Sequence, residues 1–482
     1  MNKETIVRVL FAGAECVPFF KTGGLGDVLG SLPNQLAKEG VDVGVVLPLY
    51  QDLPEKYRKQ LEYQGNFIVP VGWRNQYCGV FTLKRKGVTY FFIDNEYYFK
   101  RPGIYGYYDD GERYAYFQQA VIMMMERFNL IPNVLHCNDY HTAFIPFLLR
   151  EKWGFVGAYK GIKTVLTIHN LEFQGKYNAK TLPDFFSLGY DWFDSGIVRM
   201  DNDVNWMKTG ILYADRVTTV SPSYACEIQT PEFGQGLDGI LRMCSHKLTG
   251  ILNGIDFEKY DPKTDPIIKA DYSVYHLHRK LKNKIALQKE VGLPIKPKVP
   301  LIGMVSRLTA QKGCQLLLEE LDNIMQFNVQ MVILGNGDPY YEHNLTEIAK
   351  RYPDKLKVIL AFDVKLAQRI YAGADSFLMP SAFEPCGLSQ LISLRYGTLP
   401  VVHQIGGLAD TVWIYDKTKN EGTGFGFREF NGYQMVQAIK KMLTVYEQKD
   451  NWLKMQKIAM KSDFSWKNSA DKYKWMYGEL IG

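Results

Sequence analysis

The sequence predicts an α/β protein built from two doubly wound domains, each a parallel sheet wrapped by helices and both facing one cleft. Three observations predict it. Short apolar runs alternate with helix-periodic segments through most of the chain. The runs fall into two series, separated by a polar stretch rich in lysine and proline over residues 261–300. The 482 residues also suffice for two or more domains, at roughly 100–200 residues each.

The first series opens with Ile6-Val7-Arg8-Val9-Leu10-Phe11, whose alternation reads as a strand. Lys21-Thr22-Gly23-Gly24-Leu25-Gly26-Asp27 then reads as a strand-to-helix turn, and residues 28–37 as the first helix. Glycines at such a turn let the backbone approach a ligand and aim free N–H groups at it. Lys21 adds a mobile positive charge. The pattern points to an anionic, phosphorylated ligand, or to a tight turn carrying a surface lysine. Residues 43–47, 134–136, 164–168 and 216–220 read as further strands. The second series comprises residues 301–305, 329–334, 356–360, 376–379 and 399–402. The stretch over 261–300 reads as a connection with a helical segment near a domain boundary. In the tail, Trp466, Ala470, Tyr473 and Tyr477 share one helix face, which is expected to pack back on the first domain.

Composition narrows the function classes. Hydrophobic residues make up 46% and charged residues 22%, an ordinary globular balance. A net charge of +6 suits small anionic ligands and is too weak to point to a dedicated nucleic-acid binder; no nucleic-acid partner is expected. The seven cysteines (Cys16, Cys78, Cys137, Cys226, Cys244, Cys314 and Cys386) are odd in number, widely spaced and without a C-x-x-C pair. That pattern predicts reduced thiols and a cytoplasmic location, not disulfides or structural zinc. The N-terminal apolar run is too short for a signal peptide. No apolar stretch reaches about 18 residues, so no membrane span is expected.

Ligands of open α/β sheets sit beyond the carboxyl ends of the strands, so the segments there are the candidate site. Ser306-Arg307-Leu308-Thr309-Ala310-Gln311-Lys312-Gly313 places two cations just past a strand. They can clamp a diphosphate and stabilise a departing phosphate, or form a solvated basic loop. Phe383-Glu384-Pro385-Cys386-Gly387-Leu388-Ser389-Gln390 follows another strand. Glu384 there can hold sugar hydroxyls while Gly387, Leu388 and Ser389 offer N–H groups, or it simply complements a helix dipole. Gly406-Gly407-Leu408-Ala409-Asp410-Thr411 reads as another turn facing the same cleft. His136-Cys137-Asn138-Asp139-Tyr140-His141 and His169-Asn170 suit sugar contact or core packing better than a metal, because His136 and His141 lack the spacing of a helical zinc pair. Two motifs are discounted. Gly234-Gln235-Gly236-Leu237-Asp238-Gly239 fits G-x-G-x-x-G but follows no strand. Asp201-Asn202-Asp203 fits D-x-D but is better placed to cap a helix starting near Val204 than to hold a metal.

Taken together, these segments resemble bacterial glycogen synthases and plant starch synthases. Lys21–Val28, His136–Thr142, His169-Asn170, Ser221–Gly239, Leu252-Asn253-Gly254-Ile255-Asp256, Ser306–Gly313, Pro380–Gln390 and Phe464-Ser465-Trp466 stand in the family order across nearly the whole chain. The resemblance implies two Rossmann-like domains of the GT-B type around a deep cleft, at residues 1–248 and 249–463, with residues 464–482 as a helix returning to the first. It implies metal-independent, cofactor-free transfer of glucose from ADP-glucose to the non-reducing 4-hydroxyl of an α-1,4-glucan, with retention at the anomeric carbon.

The resemblance also implies site roles. Lys21 and the Gly23-Gly24 turn contact donor phosphate and glucose. Arg307 and Lys312 hold the diphosphate. Glu384 holds the transferred glucose, with Cys386, Gly387, Leu388 and Ser389 on the donor. His169 lies beside the transferred sugar, and Asp139, His141, Asn170 and Asn253 line the sugar end. The chain departs from the family pattern at Ala382 and Ala409, both commonly arginine, and at Phe99, Tyr260 and Gln368, commonly tyrosine, tryptophan and histidine. Three rivals follow: a nucleotide-dependent oxidoreductase, a non-catalytic or weakly active glucan-binding homologue, and a retaining transferase using UDP-glucose or another acceptor.

Overall fold

The computed structural model describes residues 7–482; Ile6, the first residue of the predicted opening strand, lies outside them. The chain divides into two compact units. Residues 7–253 with Trp466–Gly482 form one, and Gly254–Ser465 the other.

The first unit carries twelve strands. They are β1 (Arg8–Ala12), β2 (Asp42–Pro48), β3 (Glu62–Val71), β4 (Arg74–Arg85), β5 (Val88–Asp94), β6 (Val134–Asn138), β7 (Lys163–Ile168), β8 (Lys176–Asn178), β9 (Arg199–Met200), β10 (Asp203–Asn205), β11 (Arg216–Thr219) and β12 (Leu248–Gly250). Nine form one sheet in the order β12-β11-β7-β6-β1-β2-β5-β4-β3. The strands from β12 to β5 pair in parallel. The central residues of β1 and β2 are buried on both faces, as covered parallel strands require, which is why they read as plain apolar runs.

The expected all-parallel sheet needs one correction. β5, β4 and β3 pair antiparallel and form an edge that the sequence reading left without strands. Burial in β3 alternates because one face stays wet, and a register shift between Tyr63 and Gly65 breaks the pattern. A second correction concerns Asp201-Asn202-Asp203. It lies in a small sheet of order β8-β10-β9, with Asp201 at φ 54° between β9 and β10. Val204 pairs with Tyr177 and Arg199, so the cap falls instead on Asn205, whose side chain accepts from the Lys208 N–H at 2.9 Å.

The second unit holds β13 (Leu301–Val305), β14 (Gln330–Leu334), β15 (Leu356–Ile359), β16 (Ser376–Met379), β17 (Leu399–His403) and β18 (Phe425–Phe427). They form a parallel sheet in the order β15-β14-β13-β16-β17-β18, with an apolar cluster on each face. The polar stretch over 261–300 lies inside this unit, close after its start at Gly254. Its helix, Lys280–Glu290, buries two lysines. Lys280 Nζ reaches the Tyr371 and Ala372 carbonyls at a helix end, and Lys284 Nζ meets Asp375 at 2.6 Å. Buried amines satisfied in this way look like a solvated linker in sequence.

The tail helix, Trp466–Ile481, belongs to the first unit, with Trp466, Ala470, Tyr473 and Tyr477 all buried. Among the described residues, no helix is long and apolar enough to cross a membrane. All seven cysteines are free thiols.

Candidate functional site

In each unit, candidate site residues lie beyond the carboxyl ends of the strands. In the first unit, the helix begins at Gly24, four residues earlier than its apolar periodicity indicates. The cause is Glu15, which the sequence reading missed. This carboxylate, just past β1 and 3% exposed, accepts from the N–H groups of Thr22 (2.6 Å) and Gly23 (3.0 Å). It also accepts from the hydroxyls of Thr22 (2.6 Å) and Tyr105 (2.7 Å). The expectation of free N–H groups throughout the turn is therefore corrected: two of them already serve Glu15. Gly24, Leu25 and Gly26 open the helix without a side-chain cap. A Cβ on Gly23 or Gly24 would meet nothing within 4 Å, and Gly23 sits at φ −146°. Neither internal packing nor strain requires glycine there. Exposed Lys21 pairs with Asp27 in the first helical turn.

Beyond β6 and β7 the chain brings together Asn138, Asp139, His141, His169 and Asn170. Asp139 is buried at φ 56°, and its Oδ1 accepts from the His169 N–H at 2.8 Å. Burial pushes its carboxyl up to about 7, against the lowering effect of the main-chain N–H groups of His169 and Asn170; the charge of Glu15 adds to the rise. Asn138 donates through Nδ2 to the carbonyls of Ala12 and His136. Its Oδ1 therefore faces His169 Nε2 at 3.0 Å and requires Nε2 to carry the proton. His169 Nδ1 is left with its lone pair, and burial pushes the ring's pKa down to about 3, so it is neutral.

His141 lies between the rings of Tyr105 and Tyr140, with both nitrogens unpartnered. Burial, and next the Arg113 charge, push its pKa down to about 3. His136 is not part of this group. It is a core residue held by the Tyr477 hydroxyl at 2.6 Å and by Thr167, and stacked on Phe11. Asn253 is buried with its amide oxygen unpartnered. Asn170 is half-buried and accepts from the Glu172 N–H.

In the second unit, the loop after β13 and the loop after β16 are laced together. Gly313 sits at φ 74°, and a Cβ there would lie 1.9 Å from the Pro380 carbonyl oxygen. Only glycine permits this approach. The Ala382 N–H donates to the Gln311 carbonyl at 2.8 Å. This lacing brings Lys312 Nζ to 2.6 Å from Glu384 Oε2, which also accepts from Ser381 Oγ at 3.0 Å. Glu384 lies five residues before the helix Ser389–Arg395, so it is not a helix-start residue. Its carbonyl accepts from the Gly407 N–H, and a Cβ on Gly407 would lie 2.0 Å from the Cys386 carbonyl oxygen. The turn at Gly406-Gly407 thus supports the Glu384 loop from behind. Gln390 Nε2 holds the Cys386 and Gly387 carbonyls from within, and Gly387 takes φ 71°.

These segments enclose a cavity of about 100 Å³ lined by Lys312, Glu384, Gly387, Leu388, Ser389 and Ser306 among others. Ser306 Oγ is buried without a partner; the residue opens the Ser306–Gly313 segment, but only that segment's two cations were given a role from sequence. Arg307 is exposed, and no carboxylate pairs with it among the described residues. Ala382 is half-buried and Ala409 solvent-facing. Gln368 instead binds Asp265, which also accepts from Tyr396, so it serves the core. Among the described residues, no group of three His, Cys, Asp or Glu side chains can hold a metal ion.

A family model described as starch synthase catalytic domain matches residues 8–243, and one described as glycosyl transferases group 1 matches residues 288–457. The chain is 89% identical to a glycogen synthase of Lactobacillus acidophilus, over 99% of this chain and 100% of that one. It is 59% identical to a glycogen synthase of Ligilactobacillus salivarius, over 98% and 100%. Among solved structures, the catalytic domain of starch synthase IV from Arabidopsis thaliana, bound to ADP and acarbose, matches with a TM-score of 0.91 at 31% identity, covering 99% of each chain. A sucrose-phosphate synthase from Thermosynechococcus elongatus shares the fold, with a TM-score of 0.64 at 15% identity over 98% and 99%.

Proposed function

The chain belongs to the glycogen and starch synthase family, a retaining glucosyltransferase of the GT-B fold that builds glucan, and from that premise we propose that its donor is ADP-glucose and its acceptor the non-reducing 4-hydroxyl of an α-1,4-glucan, without a metal. The observation that carries the reading is the Lys312–Glu384 pair in the wall of the second unit's cavity. Breaking a sugar–phosphate bond puts negative charge on the diphosphate and positive charge on the sugar. A fixed ammonium and a fixed carboxylate answer the two charges, and neither needs to reorganise as they develop.

Within this reading Arg307 and Lys312 hold the diphosphate. Glu384 takes the hydroxyls of the transferred glucose and offsets charge at its anomeric carbon. Gly387, Leu388 and Ser389 present main-chain N–H groups to the donor. Lys21 engages donor phosphate, and the open space at Gly23 and Gly24 admits the donor's sugar against the backbone. His169, neutral and with a free Nδ1 lone pair, accepts from a sugar hydroxyl. Asp139, His141, Asn170 and Asn253 line the sugar end. Retention follows from attack on the face that the diphosphate leaves, with a departing phosphate oxygen taking the acceptor's proton. A stable glycosyl adduct on Glu384 or Asp139 would contradict that step.

The test is one assay of the purified protein with glycogen primer and either ADP-glucose or UDP-glucose, each with and without EDTA. The reading expects a higher kcat/KM for ADP-glucose, unchanged by EDTA. A preference for UDP-glucose or loss of transfer in EDTA would overturn the corresponding part. The glucan-binding, non-catalytic alternative expects glycogen binding with no transfer from either donor; the intact Lys312–Glu384 pair argues against it.

A further inference from the structure

Tyr371 belongs to none of the motifs that mark the site. It lies near the end of the helix Val364–Gly373 and is 5% exposed. Its hydroxyl donates to Ser389 Oγ at 2.9 Å. The rest of the residue is fixed. Its ring centroid lies 5.1 Å from that of Phe377. Its carbonyl accepts from the Thr398 hydroxyl at 2.5 Å and from Lys280 Nζ at 3.2 Å. Lys280 Nζ is itself held by the Ala372 carbonyl and by Thr398 Oγ, both at 2.7 Å. A rigid phenol is thus aimed at a serine in the wall of the donor cavity.

A serine hydroxyl has one proton to donate and lone pairs to accept with. Because Tyr371 supplies the proton of the Tyr371–Ser389 bond, Ser389 keeps its own. We propose that Tyr371 is a positioning residue for the donor: by donating to Ser389 Oγ it leaves the Ser389 proton to point into the cavity, where it donates to a phosphate oxygen of the nucleotide sugar. This rests on the reading of the cavity as the donor site. A hydroxyl that accepts one hydrogen bond becomes a better donor in the next, so the pair acts as a short relay of polarisation. Tyr371 touches no substrate and acts only through Ser389.

The test is Tyr371→Phe, which removes the hydroxyl and keeps the ring against Phe377. Tyr371→Met, which fills similar space without a hydroxyl, serves as the second variant should the first not fold. Loss of one net hydrogen bond corresponds to a rise in donor KM of about three- to tenfold. The glucan KM is expected to stay at the wild-type value. Ser389→Ala is expected to show the same donor effect, and Tyr371→Phe with Ser389→Ala no more than Ser389→Ala alone. Unchanged donor KM in Tyr371→Phe beside a raised one in Ser389→Ala would overturn the proposal, as would additive losses in the double variant. ADP binding measured by calorimetry separates this from the underlying reading. If Lys312→Ala and Ser389→Ala both bind ADP as the wild type does, the cavity is not the donor site and the proposal falls with it.

Discussion

Lys312 and Glu384, 72 residues apart in the chain, meet at 2.6 Å. Their side chains are 18% and 7% exposed. The contact depends on the close passage of Gly313 over Pro380 and on the Ala382–Gln311 hydrogen bond. Two groups of opposite charge are thereby fixed side by side, and in the proposed reading they flank the phosphate–sugar bond that is broken. Lys312→Ala should lower kcat by about 10²–10³, the range seen when one fixed donor to a developing negative charge is removed. Steady-state kinetics with ADP-glucose check it, and a loss under threefold would contradict the assignment.

Lys21 pairs with Asp27, but its side chain is 34% exposed. An ion pair this wet contributes about 1 kcal/mol or less. Lys21→Ala should therefore keep its denaturation midpoint close to wild type while turnover falls about tenfold or more. An unfolded variant, or one with wild-type turnover, would contradict a role on the donor.

Glu15 gathers four donors into one buried carboxylate. Glutamine has a single acceptor oxygen, and its amide group would face N–H and O–H donors. Glu15→Gln should cost about 1–3 kcal/mol for each donor left unpaired and should raise the donor KM by loosening the Lys21 turn. Urea unfolding and donor kinetics read the two effects. An unchanged midpoint would remove Glu15 from its place at the centre of the turn.

Asp139 gives a pH signature. Burial raises its pKa from 3.8 to about 7, so the folded state binds the proton more tightly than the unfolded chain. Its contribution is present below the unfolded value and is lost as pH rises from about 4 through about 7. Asp139→Asn keeps an acceptor for the His169 N–H and has no charge to bury. Relative to wild type, it should gain stability progressively across that window, by an amount on the order of a few kcal/mol. Unfolding free energies measured at pH 4, 5.5, 7 and 8 check this. A constant difference would contradict it.

The parallel strands were legible because they are apolar on both faces: Leu301–Val305 and Ser376–Met379 agree with the sequence reading to the residue. Lys312 and Glu384 were legible as motif residues beyond those strands. Three things were not. The start of the first helix depends on Glu15, seven residues before Thr22 and invisible to periodicity. The edge β3–β4–β5 hides because one of its faces is solvated and Gly65 interrupts its alternation. Tyr371 is 18 residues from Ser389 and in another element, so its hydroxyl has no local signal. His136 shows the reverse case. It stood in a polar cluster by sequence, yet β6 directs it into the core against the tail helix, where Tyr477 binds it.

The most direct test is the transfer of labelled glucose from ADP-glucose to glycogen by the wild type and by Glu384→Gln, which keeps the shape of the side chain and removes its charge. The account expects incorporation by the wild type and a kcat/KM at least about a hundredfold lower in Glu384→Gln, with the fold intact by circular dichroism. Incorporation by Glu384→Gln at the wild-type rate, or none by the wild type from either ADP-glucose or UDP-glucose, would contradict it.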